Sequence, residues 1–194
     1  MTFGIMITTR NRSSDLRRTL QRVIELNPPP DEVWICADGC TDDTVAMVKT
    51  VCPNASLLVN ETGIGSIGSR DRMLRSMTAD WVLSLDDDSY PLDVAFFAKV
   101  TDVIANHPEV SVFTFPEQRD TEVYASPSKT PETPGHYVSA YPNCAALMNR
   151  SDYFRVGGYP TFFFHNYEEP DYALQLCGVG KHVWFEPSLT IRHH

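Results

Sequence analysis

Apolar runs of five to seven residues alternate with helix-periodic stretches over residues 1–115, and this alternation constrains the fold more than any other feature of the chain. The runs predict strands at 3–9, 32–37, 56–60, 81–85 and 110–115, with helices at 15–26, 41–52, 68–77 and 91–107 between them. In the first helix Leu16, Leu20, Val23 and Ile24 form one stripe, Ser13 or Ser14 is the expected cap, and Asn27-Pro28-Pro29-Pro30 ends it. The second helix opens on Asp42 and Asp43, a favourable charge for its dipole, and the fourth carries Pro91 near its start. Strand–helix–strand repetition implies right-handed crossovers and a mostly parallel, twisted sheet covered by helices on both faces. At 194 residues the chain fits one domain with a sizeable core. Residues 116–136 are rich in Pro, Ser, Thr and charge and read as a long mobile loop or hairpin excursion. Beyond them come a strand in the second half of 137–150, a turn at 157–160, a helix at 167–180 and a closing strand pair at 183–194.

Two of the predicted strands run straight into carboxylates. Strand 32–37 meets Asp38, and strand 81–85 meets Asp86, Asp87 and Asp88. Ligands of open parallel sheets bind beyond the carboxyl ends of the strands, so these acids line one sheet edge. In an extended chain Asp86 and Asp88 point one way and Asp87 the other. Two oxygen ligands on one side suit Mg²⁺ or Mn²⁺. The chemistry is not that of a nucleic-acid binder, because 16 Lys+Arg against 25 Asp+Glu give a formal net charge of −9. No apolar run approaches the length of a spanning helix, which leaves only peripheral membrane association through segments outside this sequence. Five cysteines, with no CxxC and no spacing of the zinc type, read as buried free thiols in a reducing, cytoplasmic compartment.

Taken in order, "ITTRNR" (7–12), "ADGCTDDT" (37–44), "NETGIGSIGSRDRML" (60–74), "WVLSLDDDSYP" (81–91), "GGY" (157–159), "YEEPDYALQL" (167–176) and "EPSLTIRHH" (186–194) resemble the family 2 glycosyltransferases. The resemblance covers nearly the whole chain. It implies a GT-A, Rossmann-related α/β fold with a small antiparallel C-terminal part, residues 1–115 as the nucleotide-binding half and 116–194 as the acceptor and catalytic half. It further implies inverting transfer of a sugar from a UDP-, GDP- or dTDP-linked donor to a hydroxyl of a glycan or small molecule, in bacterial polysaccharide or other glycan synthesis.

By the same resemblance Thr8, Arg10, Asp38 and Arg70 hold the nucleotide, and Asp86 bridges ribose and metal. Asp88 is the more direct ligand of Mn²⁺ or Mg²⁺, and His193 adds a metal contact. Asp87 is grouped with the nucleotide-sugar contacts rather than the ligands. His194 is the weaker alternative to His193, and a histidine pair here is also how a purification tag would begin. Glu169 is the candidate base and Glu168 the alternative; Glu replaces the family's usual Asp at 169, and Gln175 replaces its usual Arg. Asp71 stands where the family often has Asn. Tyr159, Phe162, Phe163, Phe164, His165 and Tyr167 suit either an acceptor platform or core packing. Loop 116–136 is placed to act as an acceptor lid. Two rival readings stand beside this one, a sugar-nucleotidyltransferase and a non-catalytic nucleotide-sugar-binding domain. "ITTRNRSSD" is not the Gly-rich, basic loop with which nucleotidyltransferases usually open.

Overall fold

Strand β1 (Phe3–Thr9) buries both faces, so its side chains divide between two cores: Phe3, Ile5 and Ile7 enter one, Met6 the other. Such continuous burial is what a central parallel strand requires. The computed structural model of the chain describes residues 1–119, 122–124, 134–164 and 166–194. After β1 come α1 (Ser13–Ile24), β2 (Glu32–Asp38), α2 (Thr44–Val51), β3 (Ser56–Asn60), α3 (Gly65–Ser76) and β4 (Trp81–Asp86). Then follow β5 (Ser89–Pro91), α4 (Phe96–Asn106), β6 (Val110–Thr114), β7 (Glu117–Arg119), β8 (Glu122–Tyr124) and β9 (His136–Val138). A 3₁₀ turn (Asn143–Ala145), β10 (Ala146–Asn149), α5 (Arg150–Arg155), α6 (Glu168–Gly178), β11 (His182–Phe185) and β12 (Ile191–His193) complete the order.

Among the described residues eight strands form the main sheet, in the order β3-β2-β1-β4-β10-β6-β11-β9. The run from β3 to β4 is parallel throughout, β11 is parallel to β6, and β10 and β9 run against their neighbours. Helices α1, α2 and α4 cover the face carrying Ile5, Ile7, Leu83 and Leu85; α3, α5 and α6 cover the face carrying Met6, Val82 and Met148. Each fully buried Leu, Ile or Phe in these layers contributes about 1.5–3 kcal/mol of transfer free energy. A second, small and mostly antiparallel sheet runs β5-β12-β7-β8.

Several sequence expectations are corrected. The helix-α1 N-cap is Arg12, without a side-chain cap bond, and the two serines lie inside the helix. Ile24 is exposed, and Thr19 joins the buried stripe instead. Pro91 belongs to β5, with α4 beginning at Phe96. The closing strands do not pair with each other: β11 joins the main sheet beside β6 and β9, and β12 joins the small sheet between β5 and β7. Within 116–136, β7 and β8 form an antiparallel hairpin, while 120–121 and 125–133, with most of the proposed lid, lie outside the described residues. All five cysteines are free, but Cys177 is exposed and Cys40 and Cys52 are half-buried. No helix of the described residues is long and apolar enough to cross a membrane.

Candidate active site

The parallel register sets Thr8 opposite Asp86 across β1 and β4, and Asp38 opposite Asn60 across β2 and β3, so the acids end their strands at the same sheet edge. Thr8, Arg10, Asp38, Asp86, Asp87, Asp88 and His193 line one cleft of about 400 Å³, with Thr9, Arg12, Gly65, Ser66 and Phe164.

Asp38 is held on both oxygens. Oδ1 accepts from Asn60 Nδ2 (2.7 Å) and the Ile64 amide (2.9 Å); Oδ2 accepts from the Gly65 amide (2.9 Å). The carboxylate thereby pins the glycine segment at the start of α3 and leaves Oδ2 with one donor. Gly65 has φ +86°, and a Cβ there would stand 2.4 Å from the Phe164 carbonyl oxygen, so only glycine fits. The Arg10 guanidinium lies over Gly63 beside Asp38.

The three aspartates take different partners. Asp86 Oδ1 meets Arg70 Nη2 at 2.5 Å, and its amide donates to Ser89 Oγ (2.8 Å). Asp87 Oδ2 accepts from Thr9 Oγ1 (2.8 Å), its Oδ1 pairs with Arg12 Nη1 (3.1 Å), and its carbonyl accepts from Thr19 (2.9 Å). Asp88 Oδ2 pairs with Arg12 Nη2 (2.7 Å), and its Oδ1 faces His193 Nε2 at 3.2 Å. Burial raises Asp87 to about 6, against the opposing pull of Thr9 and Arg12. Burial also works against Asp88, but His193 and Arg12 outweigh it and hold the carboxyl down to about 2.

His193 closes the cluster. Its Nε2 also lies 4.0 Å from Asp86 Oδ2, and its Nδ1 lies 2.7 Å from Glu117 Oε2 and 2.8 Å from Arg119 Nη2. Contacts with Asp88, Cys144 and Glu117 push its pKa up to about 12. Arg12 thus pairs with two of the acids, and His193 faces Asp88 and Asp86. His194 turns away, its ring meeting Tyr90 Oη at 3.0 Å.

Arg70, almost wholly buried, links this edge to the start of α6: its Nη1 stands 4.0 Å from Glu168 Oε1, which accepts from Asn143 Nδ2 (2.9 Å). Glu169 is half-buried, and its pKa is raised, first by burial and then by the charge of Glu168. Asp71 is structural, accepting from Tyr153 Oη (2.7 Å) and Arg75 Nε (2.8 Å). Among the aromatic residues before α6, Tyr159 is core and bonds Asn143 Oδ1 (2.8 Å), whereas Phe162, Phe164 and Tyr167 are exposed; His165 lies outside the described residues.

Arg12, Glu117, Asn143 and Cys144 were not singled out by sequence reasoning. Arg12 ends the quoted "ITTRNR", but nothing local says which of its arginines faces the acids. The others arrive through contacts between segments far apart in the chain.

A family model described as "Glycosyl transferase family 2" matches residues 4–169. The chain belongs to that family. A Haemophilus influenzae protein named "Uncharacterized glycosyltransferase" is 27% identical over 113 residues, covering 58% of this chain and 38% of that protein. The mannosyltransferase PcManGT of Pyrobaculum calidifontis, solved with GDP-Man and Mn²⁺, superposes with a TM-score of 0.78 at 19% identity over 98% of this chain and 56% of its own. GalNAc-T7, solved with UDP, GalNAc and Mn²⁺, gives 0.82 at 14% identity, over 100% of this chain and 44% of its own. TarS of S. aureus gives 0.80 at 14%, over 98% and 36%. The family 2 chain therefore has the GT-A fold and spans little more than half the length of these structures at most.

Proposed function

We propose that this family 2 domain transfers a sugar, with inversion, from a nucleoside-diphosphate donor to an acceptor hydroxyl, using a divalent cation. The observation that carries the reading is the convergence of Asp86 Oδ2 and Asp88 Oδ1 on His193 Nε2, 4.0 and 3.2 Å away, in the cleft that Asp38 and Arg10 also line. The donor set fits Mn²⁺ or Mg²⁺: two carboxylates and an imidazole, with Asp88 Oδ1 buried and lacking a hydrogen bond of good geometry. Bound there, the cation would act as a Lewis acid toward the departing diphosphate.

The remaining work falls to the chain's own residues. Asp38 holds the turn at Gly63–Gly65 against the nucleoside, leaving Arg10 exposed at the same wall for the diphosphate or base. Arg70 fixes the Asp86 carboxylate while holding Glu168 in reach. Glu168, whose Oε1 is held by Asn143 and faces Arg70, is a positioning group. Glu169, with raised proton affinity, is the better acceptor for the proton of the attacking hydroxyl. PcManGT and GalNAc-T7, solved with Mn²⁺ and with a nucleotide or nucleotide sugar, support the donor class by analogy of fold.

Turnover of isotope-labelled nucleotide sugars with Mn²⁺ and Mg²⁺ tests the reading. Release of nucleoside diphosphate without pyrophosphate, coupled to sugar transfer or slow hydrolysis, is expected. Pyrophosphate exchange would instead mark a nucleotidyltransferase, and tight donor binding without turnover a binding domain.

A further inference from the structure

One residue beside the cleft has no part in the proposed reaction. Cys144 is 5% exposed and lies in the 3₁₀ turn before β10. Its Sγ, a carboxylate oxygen of Asp86 and a ring nitrogen of His193 all lie within 4.8 Å of one another. The backbone fixes that approach. Ser89 Oγ donates to the Cys144 carbonyl (3.0 Å) and accepts from the Asp86 amide (2.8 Å), so the end of β4, the start of β5 and the turn are tied at one side chain. Beside them Asp88, 5% exposed, faces the same histidine through Oδ1, 3.2 Å from Nε2 and without a hydrogen bond of good geometry.

Thiolate, imidazole and carboxylate together are not the donor set of a purely oxygen-seeking ion. Sulfur favours Zn²⁺, Co²⁺ or Cd²⁺ over Mg²⁺, and three protein donors with an open side suit a four-coordinate ion. We propose that Cys144 Sγ, with Asp86 and His193, ligates a thiophilic divalent cation at the cation site. This rests on the reading that Asp86 and His193 hold a cation at all. Coordination exchanges the thiol S–H bond and the N–H bond of the ligating His193 nitrogen for metal–sulfur and metal–nitrogen bonds and releases both protons to solvent, with no change of oxidation state. Mn²⁺ and Mg²⁺ use the oxygen and imidazole donors of the same site without the sulfur. Zn²⁺ therefore binds more tightly than Mn²⁺ and displaces it.

Cobalt titration followed by absorbance tests this without any assay of transfer. The wild-type protein is expected to develop an ultraviolet sulfur-to-cobalt charge-transfer band together with the visible bands of bound Co²⁺. Cys144→Ser should lose the ultraviolet band and lose at least about tenfold in Zn²⁺ affinity by competition, with Mn²⁺ affinity little changed. Cys40→Ser, at another thiol near this sheet edge, should keep the band. Cys144→Ala serves if the serine variant fails to fold, and ¹¹³Cd NMR of the wild type reports a sulfur ligand independently of any variant. Visible bands without the charge-transfer band, or a band that survives in both Cys144 variants, overturns the sulfur ligand and leaves the cation site standing. Failure of Co²⁺, Zn²⁺ and Mn²⁺ alike to bind overturns both.

Discussion

Adjacent carboxylates at the start of α6 meet different surroundings, and the difference assigns their roles. Glu168 is nearly fully buried, its Oε1 accepting from Asn143 and facing Arg70 while Oε2 has no hydrogen bond, whereas Glu169 is half-buried and made a stronger proton acceptor by burial and by Glu168. Glu169→Gln should bind donor with unchanged affinity in calorimetry yet lose transfer by about 10²–10⁴-fold; a near wild-type rate would move the base to Glu168. The carboxylate must be ionised to accept a proton, so the rate should fall as pH drops through a value above the ordinary 4.5, and kcat against pH reads that limb. Asp87 makes a converse case. Its carboxyl ionises near 6 in the fold against 3.8 ordinarily, so the buried charge costs stability above pH 6 and nothing below 3.8. Asp87→Asn should therefore stabilise the protein by about 1–3 kcal/mol at pH 7.5 in chelator and not at pH 4, measured by urea unfolding. The aspartate triplet was legible because strand-end acids declare themselves locally. Which one meets Thr9 and which meets His193 was not, because neither partner is near in sequence.

Elements of three residues carry the part of the site that sequence patterns miss. Strand β12 lies between β5 and β7, with Ile191 opposite Glu117 and His193 opposite Ser89, and this register delivers Glu117 Oε2 to His193 Nδ1. A carboxylate on the far ring nitrogen orients an imidazole and raises the basicity of the nitrogen facing a metal. Glu117→Gln should weaken Mn²⁺ binding by about 10–100-fold in calorimetry while leaving metal-independent nucleotide binding intact. Strands β5, β9 and helix α5 went unassigned because three to six residues hold too little periodicity to register. The long strands and helices of the first 115 residues, by contrast, were legible from pattern alone. Their errors lie mostly at ends and caps, as at α1, where the N-cap is Arg12, whose guanidinium pairs with Asp87 and Asp88, and not a serine.

Taken as one molecule, the fold gathers acids at one sheet edge of a chain whose formal net charge is already −9. Like charges this close repel, and Arg12 and Arg70 offset the repulsion by pairing with Asp87, Asp88 and Asp86. A divalent cation relieves the repulsion further, and because it binds the folded cleft rather than the unfolded chain it must raise global stability by mass action. Mn²⁺ at a hundred times its dissociation constant should stabilise the protein by about 2.7 kcal/mol, with Tm rising as the concentration is increased. The rise should grow when a nucleoside diphosphate is added, because the nucleotide's phosphate oxygens complete the shell that the carboxylates begin. Asp88→Ala removes the carboxylate that faces His193 and should abolish both increments in thermal unfolding. A Tm that responds equally in that variant would place the cation elsewhere and detach the strand-end acids from the proposed chemistry.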